Sequence, residues 1–179
     1  MKRSEFVKAA TLLTSSLVVL PKAIASVGNR IKEILIPKIV RSSQGKTINV
    51  IGDVQTIKLT GADTDGQFTL IEEENSPGTG IPLHVHENED EVFKVIEGEM
   101  ELTVGDTTTV LKAGDLAFGP RGVPHSWRII GDTKAKVILS VFPSGIEVMF
   151  EELSSLPPGP PDFPKVAEIC GRFGITFLE

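Results

Sequence analysis

The sequence predicts an all-β domain, built as a sandwich or a barrel and followed by a short C-terminal helix. From Lys46 onward, short runs rich in Val, Ile, Leu, Thr and Phe alternate with turn residues. Apolar and polar residues alternate strictly between Glu99 and Val104, so one face of this strand is expected in a core. Glycine-containing turns at residues 97–98 and 105–106 join this strand to its neighbours, which indicates an antiparallel meander.

The predicted strands end before a proline-rich segment. They cover residues 46–51, 54–59, 67–74, 82–86, 91–96, 99–104, 107–111, 115–118, 125–130 and 135–142. Residues 157–161 read Pro-Pro-Gly-Pro-Pro, which excludes helix and favours a stiff extended arm. A helix is predicted to begin near Asp162, with Pro164 in its first turn and Gly174 at its C-cap. We expect its apolar face to pack on the barrel or on a partner subunit. This face consists of Val166, Ile169, Cys170 and Phe173.

The N-terminal segment has the order of a secretory signal peptide. Lys2, Arg3 and Lys8 give a basic start, residues 9–20 carry no charge, and an A-x-A pattern ends at Ala25. An ordinary packing helix is the alternative. The apolar run is too short for a stable membrane anchor. We therefore expect export, to the periplasm, and a cytoplasmic location if the segment is not a signal. The predicted divisions are a signal peptide (1–25), an N-terminal arm (26–45), the barrel (46–145), and the proline-rich arm with the C-terminal helix (146–179).

Charge and cysteine content narrow the function classes. The formal net charge is −6, and an acidic chain repels phosphate backbones, so we expect no nucleic-acid partner. Cys170 is the only cysteine, so no intramolecular disulfide can form and its expected role is packing. A metal site in this chain therefore has to use histidine and carboxylate ligands.

The three histidines of the chain fall in two short segments. His84 and His86 are two residues apart, so on a strand both imidazoles point to the same face. Glu91 shares its face with Phe93, where a carboxylate is costly unless a cation such as a divalent metal compensates its charge. Glu89 stays open as the alternative carboxylate, because a turn between His86 and Glu91 resets the alternation.

His125 follows a stiff entry segment, residues 120–124, which contains two prolines and a glycine. It shares its face with Trp127 and Ile129, so it lies among apolar neighbours. A single inward histidine is more often a core residue with a hydrogen-bond partner than a metal ligand. Taken together with His84, His86 and a glutamate, however, it predicts a metal site.

The spacing in these segments resembles a known family. From Gly78 the chain reads Gly, five residues, His-x-His, four residues, Glu, six residues, Gly98. From Gly114 it reads Gly, five residues, Pro-x-Gly, two residues, His125. Both match the signature motifs of the cupin superfamily, and the chain resembles small single-domain (Cupin_2-type) bacterial cupins similar to quercetin dioxygenases. The resemblance covers about residues 40–142 and implies a double-stranded β-helix, a jelly-roll barrel. It implies the metal ligands His84, His86, Glu91 and His125.

Three imidazoles and one carboxylate leave open positions on an octahedral metal, as a catalytic site requires. The donor set suits one divalent transition metal: Fe, Mn, Ni, Cu, Co or Zn. The resemblance implies a dioxygenase-type oxidoreductase for a small aromatic or enolic substrate. Glu91 would be both a ligand and the base that takes the substrate proton. The alternatives are a non-redox isomerase or lyase acting on a sugar or keto acid, and a non-catalytic cupin that binds a small ligand.

Large apolar residues on the predicted strands are candidate pocket walls, although a plain core role fits them as well. They are Phe93, Met100, Phe118 and Trp127. The extended arms at both ends of the barrel predict subunit contacts, and the family is often dimeric. We therefore expect a homodimer.

Overall fold

The computed structural model of this protein describes residues 35–178, and it confirms the all-β fold with a short C-terminal helix. The predicted signal peptide (1–25) and the first part of the predicted N-terminal arm lie outside the described residues. The elements are β1 (Lys46–Val50), β2 (Asp53–Leu59), α1 (Gly61–Thr64), β3 (Thr69–Asn75), β4 (Gly80–His86), β5 (Asp90–Glu97), β6 (Glu99–Val104), β7 (Thr107–Lys112), β8 (Leu116–Gly119), β9 (His125–Ile130), β10 (Ala135–Phe142), α2 (Ile146–Ser154), α3 (Phe163–Arg172) and β11 (Ile175–Phe177).

The strands form two antiparallel sheets. The six-stranded sheet has the order β1-β2-β3-β10-β5-β8, and the five-stranded sheet has the order β11-β4-β9-β6-β7. Neighbours such as β3 and β10, or β4 and β9, are distant in sequence, so long connections cross between the sheets. This strand order gives the jelly-roll barrel that the resemblance implied.

Alternation along the strands decides which side chains enter the barrel. On β5, Glu91, Phe93 and Val95 are buried, while Val92 and Lys94 between them are only partly buried. The largest fully buried side chains come from both sheets, so the core fills the space between them. They include Ile71, Phe93, Met100, Leu102 and Ile129.

The C-terminal helix begins as the sequence predicts. Asp162 is the N-cap of α3, and its side chain accepts a hydrogen bond from the Lys165 backbone N–H. Gly174, with φ 77°, directly follows the C-cap residue. The apolar face is buried at Val166, Ile169 and Cys170. Helix α3 contacts β11 and α2, so this face packs against elements of the same chain.

Helix α2 and strand β11 were not predicted. On α2 the side chains at positions i, i+3 and i+7, namely Ile146, Met149 and Leu153, are buried against the rest of the protein. Strand β11 adds to the edge of the five-stranded sheet beside β4. Within residues 35–178, no helix is long and apolar enough to cross a membrane.

Candidate metal centre

Four buried side chains meet inside the barrel. His84 and His86 come from β4, Glu91 from β5 and His125 from β9, so both sheets contribute. One ligand atom from each lies within 4.8 Å of every other. All three histidines of the chain are therefore in one cluster that is able to hold a metal ion.

A bulge in β4 brings two of the histidines into contact. Ile81 pairs with Trp127, but His84 pairs with His125, so β4 has one extra residue between these two pairs. Pro82 lies in the bulge, where its missing N–H breaks no ladder hydrogen bond. Because paired residues on neighbouring strands share a face, the His84 and His125 rings come together, with centroids 4.3 Å apart.

Two of the three histidines have the Nδ1 atom beside a fixed acceptor. His84 Nδ1 lies 2.8 Å from the carbonyl oxygen of Pro82, and His125 Nδ1 lies 3.1 Å from that of Val123. His86 Nδ1 lies 3.4 Å from Glu89 Oε2, and neither of these atoms makes a hydrogen bond. Acceptors at Nδ1 favour the tautomer with the proton on that atom, which leaves the Nε2 lone pair free. Outer acceptors of this kind orient histidines that bind metals.

The structure separates the roles of the two candidate carboxylates. Glu91 belongs to the cluster, and its Oε2 lies 2.8 Å from His125 Nε2. Glu89 lies in the bend between β4 and β5, on the Nδ1 side of His86, and is not part of the cluster. The geometry therefore favours Glu91 as the carboxylate that faces a metal.

Burial and mutual charge set the protonation of the cluster. Burial lowers the pKa of His84 to about 4, and the neighbouring His125 adds to this decrease. Burial alone would raise the pKa of Glu91, but its hydrogen bond and charge interaction with the histidines outweigh this effect and lower it. Burial likewise opposes protonation of His125, yet Glu91 raises the pKa of His125 overall. The cluster thus stabilises a positive charge, a proton or a metal cation, between the Glu91 carboxylate and the His125 ring.

These residues fit a divalent transition metal. The ligand set is three imidazoles and one ionised carboxylate, a mixture that suits first-row metals. The acceptors at the Nδ1 atoms leave Nε2 as the metal-binding nitrogen, and His84 is neutral at pH 7, as a ligand must be. A divalent ion would replace the proton on His125 Nε2 and would compensate the buried charge of Glu91.

An ion pair outside the barrel holds the segment before His125. Arg121 donates from its backbone N–H and its guanidinium group to both oxygens of Asp90. These hydrogen bonds lower the pKa of Asp90 to about 2. Asp90 therefore faces outward, as its position in the alternation predicts, and fixes the entry to β9.

A cavity of about 490 Å³ opens beside the cluster. His84, His86 and Glu91 line one part of it, and apolar side chains from α2, α3 and the sheets line most of the rest. Among the described residues that line it, there is no lysine or arginine. Apolar walls with a few convergent polar groups are typical of small-molecule sites.

The candidate wall residues lie in different places. Trp127 lines the cavity, whereas Phe93 and Met100 are fully buried in the core and are not among its lining residues. The expectation for Phe118 was wrong, because its side chain is 54 % exposed. Phe118 pairs with Val92, which points away from the barrel interior, so the small residues Ala117 and Gly119 face inward instead.

The sequence analysis missed a second polar group in the same cavity. Asp53, Gln55 and Glu73 line it and are buried, and Asn75 is buried next to them. A signal was available, because Gln55 has the same alternation as Ile57, and Glu73 has that of Ile71. Polar residues on the inward face of two adjacent strands indicate a buried polar site.

Comparisons with known proteins agree with this geometry. Residues 72–142, which contain the whole cluster, match the family model Cupin_2, described as a cupin domain. Quercetin 2,3-dioxygenase of Bacillus subtilis (strain 168) is 33 % identical over 93 residues, which are 52 % of this chain. The match spans only 28 % of that relative's length.

Solved structures share the fold. KdgF from Halomonas sp. aligns with a TM-score of 0.56 at 17 % identity, over 63 % of this chain and 99 % of that one. The polyketide cyclase RemF from Streptomyces resistomycificus aligns with a TM-score of 0.51 at 30 % identity. That alignment covers 60 % of this chain and 80 % of RemF.

Proposed function

Starting from the finding that this chain is a member of the cupin superfamily, we propose that it is a metal-dependent oxidoreductase of the dioxygenase type. Its substrate would be a small, uncharged aromatic or enolic molecule. The observation that carries this proposal is the buried His/Glu cluster, with the Nδ1 atoms of His84 and His125 beside backbone carbonyls, at the wall of an apolar cavity.

The metal and the protein would divide the chemistry. A divalent redox-active metal, when bound, would supply a coordination site for a substrate oxygen and a route for electron transfer to dioxygen. Glu91 would take the proton of the substrate hydroxyl, because its carboxylate is ionised and lies beside the ligand atoms of the histidines. The apolar walls, including Trp127, would exclude water and orient the substrate ring.

Charge in the cavity supports an uncharged substrate. Asp53, Glu73 and Glu91 are the acidic residues that line it, and no described lining residue is a lysine or arginine. Apart from a metal at the cluster, a keto acid or a phosphorylated sugar would therefore find carboxylates and no cationic side chain around its anionic group. Any part of the anion that the metal does not coordinate would be desolvated without a partner, which is unfavourable. An enolic or phenolic ring fits the same surface without this cost.

The similarity to quercetin 2,3-dioxygenase supports the same class of substrate, since that name describes oxygen chemistry on a flavonol. The similarity to RemF, a polyketide cyclase, supports a second candidate: a non-redox reaction on an aromatic or enolic molecule. In that case the metal would act only as a Lewis acid. The two candidates differ in their need for oxygen and for a redox-active metal.

Oxygen uptake separates these candidates. Metal-free protein is loaded in parallel with Fe, Mn, Ni, Co, Cu or Zn, and oxygen consumption is measured with quercetin and with 2,4-pentanedione. We expect consumption with at least one redox-active metal and none with Zn. Product formation under nitrogen with the Zn form would favour the non-redox reaction. Absence of oxygen uptake for every pairing would contradict the dioxygenase proposal.

Export and dimerisation stay predictions. In support of subunit contacts, Ile36 and Ile39 are at least 80 % exposed within residues 35–45, which form no helix or strand. We propose that this segment, residues 35–45, packs on a second copy of the chain. Light scattering of the purified protein is expected to give the mass of a dimer, and a chain shortened to begin at Lys46 is expected to be monomeric.

A further inference from the structure

Two buried oxygen atoms in the cavity lack a hydrogen-bond partner. They are Gln55 Oε1 and Glu73 Oε2, and their side chains are only 1 % and 2 % exposed. An unsatisfied buried polar atom destabilises the folded state, because the atom has lost its hydrogen bonds to water. Two of them side by side indicate that something outside the protein chain completes their bonding.

The sheet register places both atoms together and on the cavity. Gln55 on β2 pairs directly with Glu73 on β3, so the two side chains share one face with Cβ atoms about 5 Å apart. Both residues line the cavity that also contains His84 and Glu91. A molecule in this cavity therefore has the His/Glu cluster and the Gln55–Glu73 pair among its surroundings.

Neighbouring hydrogen bonds fix how Gln55 is presented. Its Nε2 donates to Asp53 Oδ2 at 2.7 Å, and Asn75 Nδ2 donates to Asp53 Oδ1 at 2.5 Å. Asn75 Oδ1 in turn accepts from the Val54 backbone N–H at 2.8 Å. Because the amide nitrogen of Gln55 is committed to Asp53, the oxygen Oε1 is the atom that remains as an acceptor.

We propose that Gln55 and Glu73 form a second ligand-binding subsite that takes a hydroxyl group of the substrate, while the His/Glu cluster takes another of its oxygens. The proposal rests on the proposed function for its choice of substrate class. The subsite would select among substrates, because a ligand that lacks this hydroxyl would leave Gln55 Oε1 and Glu73 Oε2 without a hydrogen-bond partner.

The chemistry of the pair matches a hydroxyl group. Gln55 Oε1 can only accept, so it needs the hydroxyl proton. Burial raises the pKa of Glu73 well above its ordinary value of 4.5, and the charges of Asp53 and Glu91 raise it further. Burial therefore favours the neutral carboxyl form of Glu73, which can donate to the hydroxyl oxygen. A hydroxyl is donor and acceptor at once, whereas an ether oxygen or a carbonyl satisfies only Glu73.

A crystal structure of the metal-loaded protein without substrate gives the first test. If the subsite exists, an ordered water in the cavity bonds to both Gln55 Oε1 and Glu73 Oε2, as a hydroxyl would. A direct hydrogen bond between the Glu73 carboxyl and Gln55 Oε1, with no such water, would overturn the proposal. This test does not depend on the substrate.

Ligand binding gives the second test, with the fluorescence of Trp127 as its readout, since it is the only tryptophan and lines the cavity. Quercetin and 3-hydroxyflavone share the 3-hydroxy-4-keto group, but only quercetin carries further hydroxyls. With the metal bound, the wild type is expected to bind quercetin about tenfold more tightly. Glu73→Met is expected to remove this difference, while Glu73→Gln, which keeps a donor and an acceptor, preserves it.

Met149→Leu is the matched control, because Met149 lines the same cavity without a polar atom. It is expected to keep the wild-type ratio of affinities. An unchanged ratio in Glu73→Met would overturn the subsite and leave the proposed function standing. If neither flavonol quenches Trp127, the proposed substrate class fails, and the water in the crystal structure still decides the subsite.

Discussion

Two polar groups are buried beside the cavity, and they differ in how their bonding is completed. In the His/Glu cluster, the Nδ1 atoms of His84 and His125 lie at backbone carbonyls and Glu91 is joined to His125, while His86 Nδ1 makes no hydrogen bond. In the Gln55–Glu73 pair, one oxygen of each residue has no partner. The protein's own hydrogen bonds therefore orient most of the first group, whereas they leave an oxygen of each residue in the second group without a partner.

The chemical groups that remain available in the His/Glu cluster and in the Gln55–Glu73 pair determine what each can bind. The cluster joins neutral imidazoles to an ionised carboxylate, so it favours a cation. The pair joins an amide oxygen to a carboxyl group whose neutral form is favoured by its raised pKa, so it suits an uncharged donor and acceptor such as a hydroxyl. A substrate that meets both groups needs one oxygen for a metal and one hydroxyl for the pair.

The largest effect is expected at Glu91, which belongs to the oriented group. Glu91→Gln removes the base and weakens a metal ligand, so the rate of oxygen consumption with quercetin should fall by about 100-fold or more. Metal content is measured on the same sample, to separate loss of the base from loss of the metal.

Glu97→Gln is the matched control for this prediction. Glu97 is an exposed carboxylate at the other end of the same strand, β5. Its substitution is expected to leave the rate close to that of the wild type. If Glu91→Gln keeps its metal and an unchanged rate, Glu91 is not the base.

A smaller effect is expected at Glu89, which lies behind His86. Glu89→Gln removes the negative charge 3.4 Å from His86 Nδ1 and should weaken metal binding by roughly 10–100-fold. Competition with a chromophoric chelator measures this affinity. Glu87→Gln, at an exposed neighbouring position, is the control and should bind metal as the wild type does. Complete loss of metal in Glu89→Gln would instead make Glu89 a direct ligand.

The smallest effect is expected at Glu73, on folding stability. Its pKa in the folded protein lies above the ordinary value of 4.5, so above that pH the folded state holds a proton that the unfolded chain has released. The contribution of Glu73 to stability therefore falls as the pH rises from about 4.5 toward its folded pKa. Glu73→Gln lacks this titration and should gain about 1–3 kcal/mol relative to the wild type between low and neutral pH.

Urea unfolding of the metal-free proteins at acidic and neutral pH measures this change. Glu74→Gln is the control, because Glu74 is the next residue on β3 and is exposed. Its stability relative to the wild type should change little between the two conditions. A Glu73→Gln variant that shows no gain at neutral pH would mean that Glu73 is ionised in the folded protein.

Alternation in the sequence was sufficient for most of the strands, and together with the resemblance it predicted the cluster. His84 and His86 share a face by their spacing, but a turn separates them from Glu91, so the choice of Glu91 over Glu89 rested on the resemblance and on the structure, which brings these residues together with His125. The bulge at Pro82 that aligns His84 with His125 could not be predicted, because strand register depends on contacts between distant segments.

Other features had a signal that was read wrongly or overlooked. Phe118 was expected inside because it is apolar. Strand β8, however, contributes only its small residues Ala117 and Gly119 to the barrel interior, and Gly119 lies beside His125. Gln55 and Glu73 were overlooked because they are polar, as solvent-facing strand residues usually are. Their positions in the alternation, shared with the buried Ile57 and Ile71, indicate that they point into the barrel. Helix α2 was overlooked because residues 146–154 precede the proline-rich arm, although their apolar spacing was helical.

Metal content tests the central claim most directly. The protein is purified without an affinity-metal resin and analysed by mass spectrometry beside the double variant His84→Ala/His86→Ala. The account predicts about one transition-metal ion per chain in the wild type, since residues 35–178 contain one such cluster, and loss of this ion in the variant. Wild-type metal content no higher than that of the variant would contradict it, and the barrel would then bind its ligands without a metal.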